Sequence, residues 1–173
     1  MFKVEVQHKI NAPAENVWKT IDDFGNVFNF HPMVKHSESI NDLPTGVGAE
    51  RTCHFEDGNQ IEERIIDYKI NKEYQVDIYD MGKFPLNKAI ATLGINHDDD
   101  QETTVYFVMD FQPKFGPLGW LMAQMVMKKQ FASILYKVLQ GLDTHIQTGK
   151  IVGKNGLILP SAKDAKKNIK LIK

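Results

Sequence analysis

The 173-residue chain predicts an α+β fold, a curved seven-stranded antiparallel sheet around one long C-terminal helix, with two short helices after the first strand. Three observations support that class. Up to Phe111 the chain reads as seven strand-like segments, alternating or bounded by turn residues. Pro113-Lys-Phe-Gly-Pro117 then breaks the last of them. From Gly116 onward apolar residues recur at heptad spacing, and no comparable helical stretch occurs earlier.

In the first strand, Phe2, Val4, Val6, His8 and Ile10 share one side, with Lys3, Glu5, Gln7 and Lys9 on the other. Asn11 and Pro13 end it, and residues 14–22 form a short amphipathic helix with Val17, Trp18 and Ile21 inward. A second helical stretch, residues 26–30, is stopped by Pro32, because proline disfavours helical geometry just before it. Residues 34–40 are the second strand and residues 44–48 a turn. Residues 49–67 form a hairpin. A three-residue loop, Asp57-Gly58-Asn59, would place Phe55 opposite Ile61, Cys53 opposite Glu63 and Arg51 opposite Ile65. One face is then Arg51, Cys53, Phe55, Ile61, Glu63 and Ile65, and the other is wholly polar. A two-residue loop would mix the faces.

Strands follow at about 74–79 and 86–95, then a turn at 96–100. The last strand, 103–111, directs Val105, Phe107, Met109 and Phe111 inward. The helix opens on Gly116 and Pro117, proline suiting a first turn. Positions 118, 121, 125, 128, 132, 135, 139, 142 and 146 are expected to form its buried stripe, apolar at all but Lys128 and widened by Phe131, Ile134 and Val138. At about 1.5 Å per residue it spans on the order of 45 Å, enough to cross the sheet.

Composition is ordinary, with 25% charged and 42% hydrophobic residues, so the length suits one domain with a full core. The alternating N-terminus lacks the apolar run of a signal peptide. No apolar run reaches the roughly 18 residues needed to span a bilayer. The single cysteine, Cys53, cannot form an internal disulfide, which points to a reducing, cytoplasmic location. Charge is divided unevenly. Residues 150–173 carry +6, leaving −7 on residues 1–149. We therefore expect a domain at 1–149 and a basic extension at 150–173. An acidic body excludes a nucleic-acid-binding face. Ala162, Ala165, Ile169 and Ile172 fall at heptad positions among the lysines, with Ser161 as an N-cap. Such a basic amphipathic helix docks on an acidic surface of its own or a neighbouring subunit, touches an anionic membrane, or frays.

Four pieces in order resemble the START-like superfamily, the helix-grip fold that includes the polyketide cyclase/dehydrase-like (SRPBCC) proteins. They are Asn11-Ala-Pro-Ala-Glu-Asn-Val-Trp18; Phe28-Asn-Phe-His-Pro32; Gly46-Val-Gly48 with Arg51, Gly58 and Glu63-Arg64; and Pro113-Lys-Phe-Gly-Pro-Leu-Gly-Trp120. The resemblance covers roughly residues 2–148 and implies a cavity between sheet and long helix. It does not imply one reaction, because the superfamily includes binders, transporters and enzymes. It also implies that Gly46-x-Gly48 is a structural turn. As a dinucleotide fingerprint the segment fails, since Arg51 occupies the third glycine's place and a strand follows.

Glu63 is the first candidate for chemistry, as one carboxylate on an otherwise apolar inner face. The alternative is a structural pairing with Arg51 or a tyrosine. Phe55, Ile65, Phe107, Met109, Met125 and Ala132 are expected to supply apolar walls, Glu63 and Arg51 polarity, and His8 and His31 further polar contacts. The six histidines show no metal-site spacing, and His97 beside Asp98, Asp99 and Asp100 reads as a solvated hairpin tip. No metal and no cofactor is expected, and no hydrolytic triad can be assembled. The expected function is binding of a small, mainly hydrophobic molecule, aromatic, polyketide-like or lipid. Two alternatives remain: a cyclase or dehydratase using Glu63 or a histidine, and a lipid or quinone carrier that reaches membranes through the basic tail.

Overall fold

The computed structural model describes residues 1–154 and 158–159. The seven main strands are β1 (Phe2–Ile10), β2 (Val34–Ser39), β3 (Glu50–Phe55), β4 (Gln60–Lys69), β5 (Glu73–Asp80), β6 (Leu86–Asp99) and β7 (Glu102–Pro113). They form one antiparallel sheet in the order β1-β7-β6-β5-β4-β3-β2. After β1 come helix α1 (Ala14–Asp22) and a 3-10 turn (Phe24–Asn29). After β7 the chain turns through Phe115, in the left-handed region at φ 70°, into α2 (Gly116–Met122). A π-helical turn (Ala123–Met127) joins α2 to α3 (Lys128–Thr148). This is the helix-grip fold, as expected. After α3, β8 (Ile151–Val152) pairs with β9 (Ile158–Leu159) as a small hairpin. Its Val152 is buried. The tail helix proposed around Ser161 to Ile172 lies outside the described residues.

β1 pairs with β7 without a break, from Phe2 opposite Phe111 to Ile10 opposite Thr103. Val105 and Phe111 are fully buried, and Phe107 and Met109 pack against the same core, so the two-residue period selects the expected face. Val17, Trp18 and Ile21 of α1 are buried as expected. Trp18 meets Tyr68 and Tyr74 at ring distances of 5.9 and 6.4 Å. The Tyr74 hydroxyl donates to the Ile21 carbonyl at 3.1 Å, fixing the end of α1 over the sheet.

Three expectations are corrected. The β3–β4 hairpin turns at Glu56-Asp57-Gly58, with Gly58 at φ +76° and the Phe55 amide donating to the Asn59 carbonyl at 2.8 Å. Arg51 therefore faces Glu63, and Cys53 faces Ile61. The loop has three residues, as argued, but lies one position earlier because Gly58 takes the left-handed conformation at its end. A shift of two in register keeps every side chain on its face, so the inner set is unchanged. Asn59 is buried, and its Oδ1 accepts the Lys83 amide at 2.8 Å, tethering the β5–β6 loop. The turn placed at 96–100 is instead mostly strand: β6 continues to Asp99, with His97 opposite Thr103.

The largest correction concerns the long helix. Leu118, Leu121 and Met125 are exposed, while Gly119, Ala123 and Met127 face the sheet. A Cβ on Gly119 would lie 1.7 Å from the Lys114 carbonyl, so the chain turns back on itself where only glycine fits. The inward row 119, 123, 127 repeats every four residues, wider than an α-helical turn. The π turn supplies the extra residue. From Leu135 the expected row resumes, with Leu135, Val138, Leu139 and Leu142 buried.

Candidate functional site

The concave face of the sheet, the segment 27–34 and the first turns of α3 enclose a cavity of about 120 Å³. Alternation places each wall. β5 contributes Tyr74, Val76 and Ile78, and β6 contributes Ala89, Ala91 and Leu93. The alanines matter, because short side chains at inward positions leave the space that larger ones would fill. Phe131, Ile134, Leu135 and Val138 of α3 form the roof. Met33, Met81 and Met109 add flexible thioethers to an otherwise rigid wall.

Of the residues singled out from the sequence, Glu63, Arg51, Phe55, Phe107, Met109 and His31 line this cavity. Four do not. Ile65 is fully buried, and its backbone bonds to Gly48 and Ala49 place it beneath the 46–49 loop. Met125 is 63% exposed on the outward side of the π turn. Ala132 packs against the core outside the lining. His8 leaves β1 toward α3, where its Nε2 lies 2.9 Å from Asp143 Oδ2 and its ring meets Tyr136 edge-on at 5.7 Å. The inward placement of His8 was legible, but its partner on α3 was not. Conversely, the walls from β5 and β6 were missed. The Tyr74-Val76-Ile78 and Ala89-Ala91-Leu93 alternations were the available signal.

The polar end of the cavity is one compact cluster. Arg51 Nε donates to Glu63 Oε2 at 2.5 Å, with both side chains 8% exposed. The Arg51 guanidinium also donates to the Phe24 carbonyl at 2.7 Å and lies over the Phe24 ring, 4.0 Å from its centroid. Cys53 Sγ reaches the same Glu63 oxygen at 3.5 Å. Both of these contacts use Oε2 and neither uses Oε1. Burial, the largest single influence, opposes the charge on Arg51, but Glu63 together with Cys53 and Tyr74 outweighs it and holds the guanidinium's pKa above its ordinary value. Burial, reinforced by Glu63, pushes the Cys53 thiol up, so the sulfur is a neutral wall group and not a nucleophile. Burial likewise raises Tyr74.

His31 sits at the edge of this cluster. Its Nδ1 accepts the Met33 amide at 3.2 Å, which assigns the remaining proton to Nε2. Its ring meets Phe55 edge-on at 6.1 Å. Burial, with repulsion from Arg51, pushes its pKa down from 6.5 to about 3, so the imidazole is neutral. The unfolded chain gains a proton below pH 6.5 and the folded protein does not. Stability is therefore expected to fall as pH drops from 6.5 toward about 3, by a few kcal/mol at most. Urea unfolding of the parent and of His31→Gln across that interval checks this; the variant should show the shallower slope, and parallel slopes would refute it.

Among the described residues no group of three or more His, Cys, Asp or Glu side chains could hold a metal ion. No described helix is long and apolar enough to cross a membrane.

Comparison with known proteins agrees with this architecture. The chain is similar in fold to a START superfamily protein from Mycobacterium smegmatis (TM-score 0.69, 15% identity, 84% of this chain and 97% of that one). It is also similar to a putative uncharacterized protein from Bacillus thuringiensis (TM-score 0.68, 17% identity, 84% and 99%). A third likeness is to a norcoclaurine synthase point mutant from Thalictrum flavum, solved with a transition-state analogue (TM-score 0.65, 12% identity, 86% and 95%). At these identities the likeness is one of fold. No curated protein matches the chain. The family described as polyketide cyclase / dehydrase and lipid transport matches residues 1–147, and the chain belongs to that family.

Proposed function

We propose that the cavity binds one small, mainly apolar molecule with a single polar group, of aromatic, polyketide-like or lipid class. The observation that carries this reading is the asymmetry of the lining. Aliphatic, aromatic and methionine side chains cover most of the wall, and Arg51, Glu63 and His31 gather at one side. Apolar walls supply affinity, and a few placed polar groups orient the guest. At about 120 Å³ the space suits a single ring at most, since a cavity near 150 Å³ takes benzene. Longer guests require Met33, Met81 or Met109 to change rotamer. Binding is preferred over turnover because Arg51 and Glu63 satisfy each other and Cys53 is a neutral thiol.

Ala91→Leu tests the proposal. Ala91 is buried on β6 and lines the cavity, so the added carbons fill empty space instead of displacing neighbours. With phenol as the probe, followed by calorimetry, binding should weaken at least about tenfold while the midpoint of thermal unfolding changes little. Equal binding by parent and variant, or no binding by the parent, would overturn the cavity reading.

A further inference from the structure

The outward side of α2 and the π turn is apolar where a soluble helix is normally polar. Phe115, Leu118, Trp120, Leu121, Met125 and Val126 are each between 47% and 67% exposed. Positions 118, 121, 122, 125 and 126 follow the i, i+3, i+4, i+7, i+8 pattern of one helix face, so they form a contiguous stripe. This helix therefore has two apolar faces. A narrow one of Gly119, Ala123 and Met127 lies on the sheet, and a broad one of large side chains faces out. Contiguous patches of this kind mark interaction surfaces.

The charge around the stripe selects the occupant. From Phe111 to Leu142 there is no acidic residue, while Lys114, Lys128, Lys129 and Lys137 fall within that span. Lys114 precedes the stripe, and Lys128 and Lys129 follow it. A second copy docked by the same face would bring lysines against lysines in a two-fold contact. The chain's own tail, with +6 over residues 150–173, is repelled for the same reason. An occupant that is apolar and negatively charged fits both features. We propose that the outward face of residues 114–129 docks on an anionic lipid bilayer surface, with the large side chains in the acyl boundary and the lysines at the headgroups. Trp120 belongs at such an interface, as an amphipathic ring at headgroup level. The surface adjoins the cavity: the Lys114 amide donates to the Pro85 carbonyl at 2.9 Å, between the cavity-lining Phe84 and Leu86. Docking itself does not depend on what the cavity holds.

The test is flotation of the full chain with vesicles of phosphatidylcholine alone and of phosphatidylcholine mixed with phosphatidylglycerol. Trp120 reports in parallel, because the other tryptophan, Trp18, is buried. The parent should bind the mixed vesicles, shift its emission to the blue and detach as salt rises. The exposed-site variant Leu121→Glu/Met125→Glu should abolish binding without loss of fold. Lys114→Gln/Lys128→Gln/Lys129→Gln should weaken it on the order of 100-fold, about fivefold per lysine. The tail variant Lys163→Gln/Lys166→Gln/Lys167→Gln/Lys170→Gln should keep binding. The proposal is overturned if the parent does not float or binds both vesicles equally. It also fails if binding follows the tail lysines and ignores the stripe, or if the stripe mutation removes only self-association.

Discussion

Glu63→Gln is expected to lower stability by about 3–5 kcal/mol, roughly 10 °C in unfolding midpoint for a domain of this size. The substitution keeps the volume but removes the only carboxylate opposite Arg51. The guanidinium then keeps only neutral partners, the new amide oxygen with the Phe24 carbonyl and ring, in a site 8% exposed. Taking one partner from a buried pair leaves an uncompensated charge, which costs more than the pair contributes. The double variant Arg51→Met/Glu63→Leu should accordingly recover most of the loss, because no charge remains buried. Chemical denaturation of the two singles and the double gives the coupling. A cost below about 1 kcal/mol for Glu63→Gln would mean the pair behaves like an exposed one, and the structural account of it would fail. Guest binding reads out separately. A polar-headed guest that contacts Glu63 should lose about 1–3 kcal/mol of affinity in Glu63→Gln, while a purely apolar probe should not.

Phe111→Ala should cost about 3–5 kcal/mol as well, by a different route. Phe111 is fully buried, 5.6 Å from the Phe2 ring and 4.7 Å from the Phe131 ring. It joins β1, β7 and α3 through one aromatic stack. The void left by its ring adjoins Phe131, which lines the cavity. Beyond the stability loss, the variant should accept a larger aromatic probe than the parent, because Phe131 gains room to rotate away. Comparing phenol with the two-ring 2-naphthol measures this. An unchanged size limit would show that the Phe111 site is sealed from the cavity.

The hairpin shows how much of the site was legible. Cys53, Ile61 and Glu63 were placed on the inner face because alternation has only two outcomes, and one of them buries an entirely polar set. Which residue stands opposite Glu63 was not legible, since sliding the strands by two keeps both faces intact. The choice of Glu56-Asp57-Gly58 as the loop brought Arg51 opposite Glu63 and turned a lone carboxylate into a pair. Long-range partners were hidden for a related reason. Asp143 meets His8 across 135 positions, and nothing local in either segment marks the other.

The long helix divides the two kinds of information most clearly. Sequence alone determined that a helix follows Gly116, that its second half buries Leu135, Leu139 and Leu142, and that the sheet's inner face carries Phe107 and Met109. Each of these follows from a local period, which is a property of the backbone. Tertiary structure decided which face of the first half is turned inward. Heptad spacing favoured Leu118, Leu121 and Met125, but the close return of the chain at Lys114 admits only Gly119, and the π turn carries Ala123 and Met127 onto the same side. Steric fit at one backbone contact outweighed the burial of three large side chains. The position of the cavity was decided in the same way, by where inward alanines of β6 met the roof of α3, because empty space is set by the distance between elements and not by the period within any one of them.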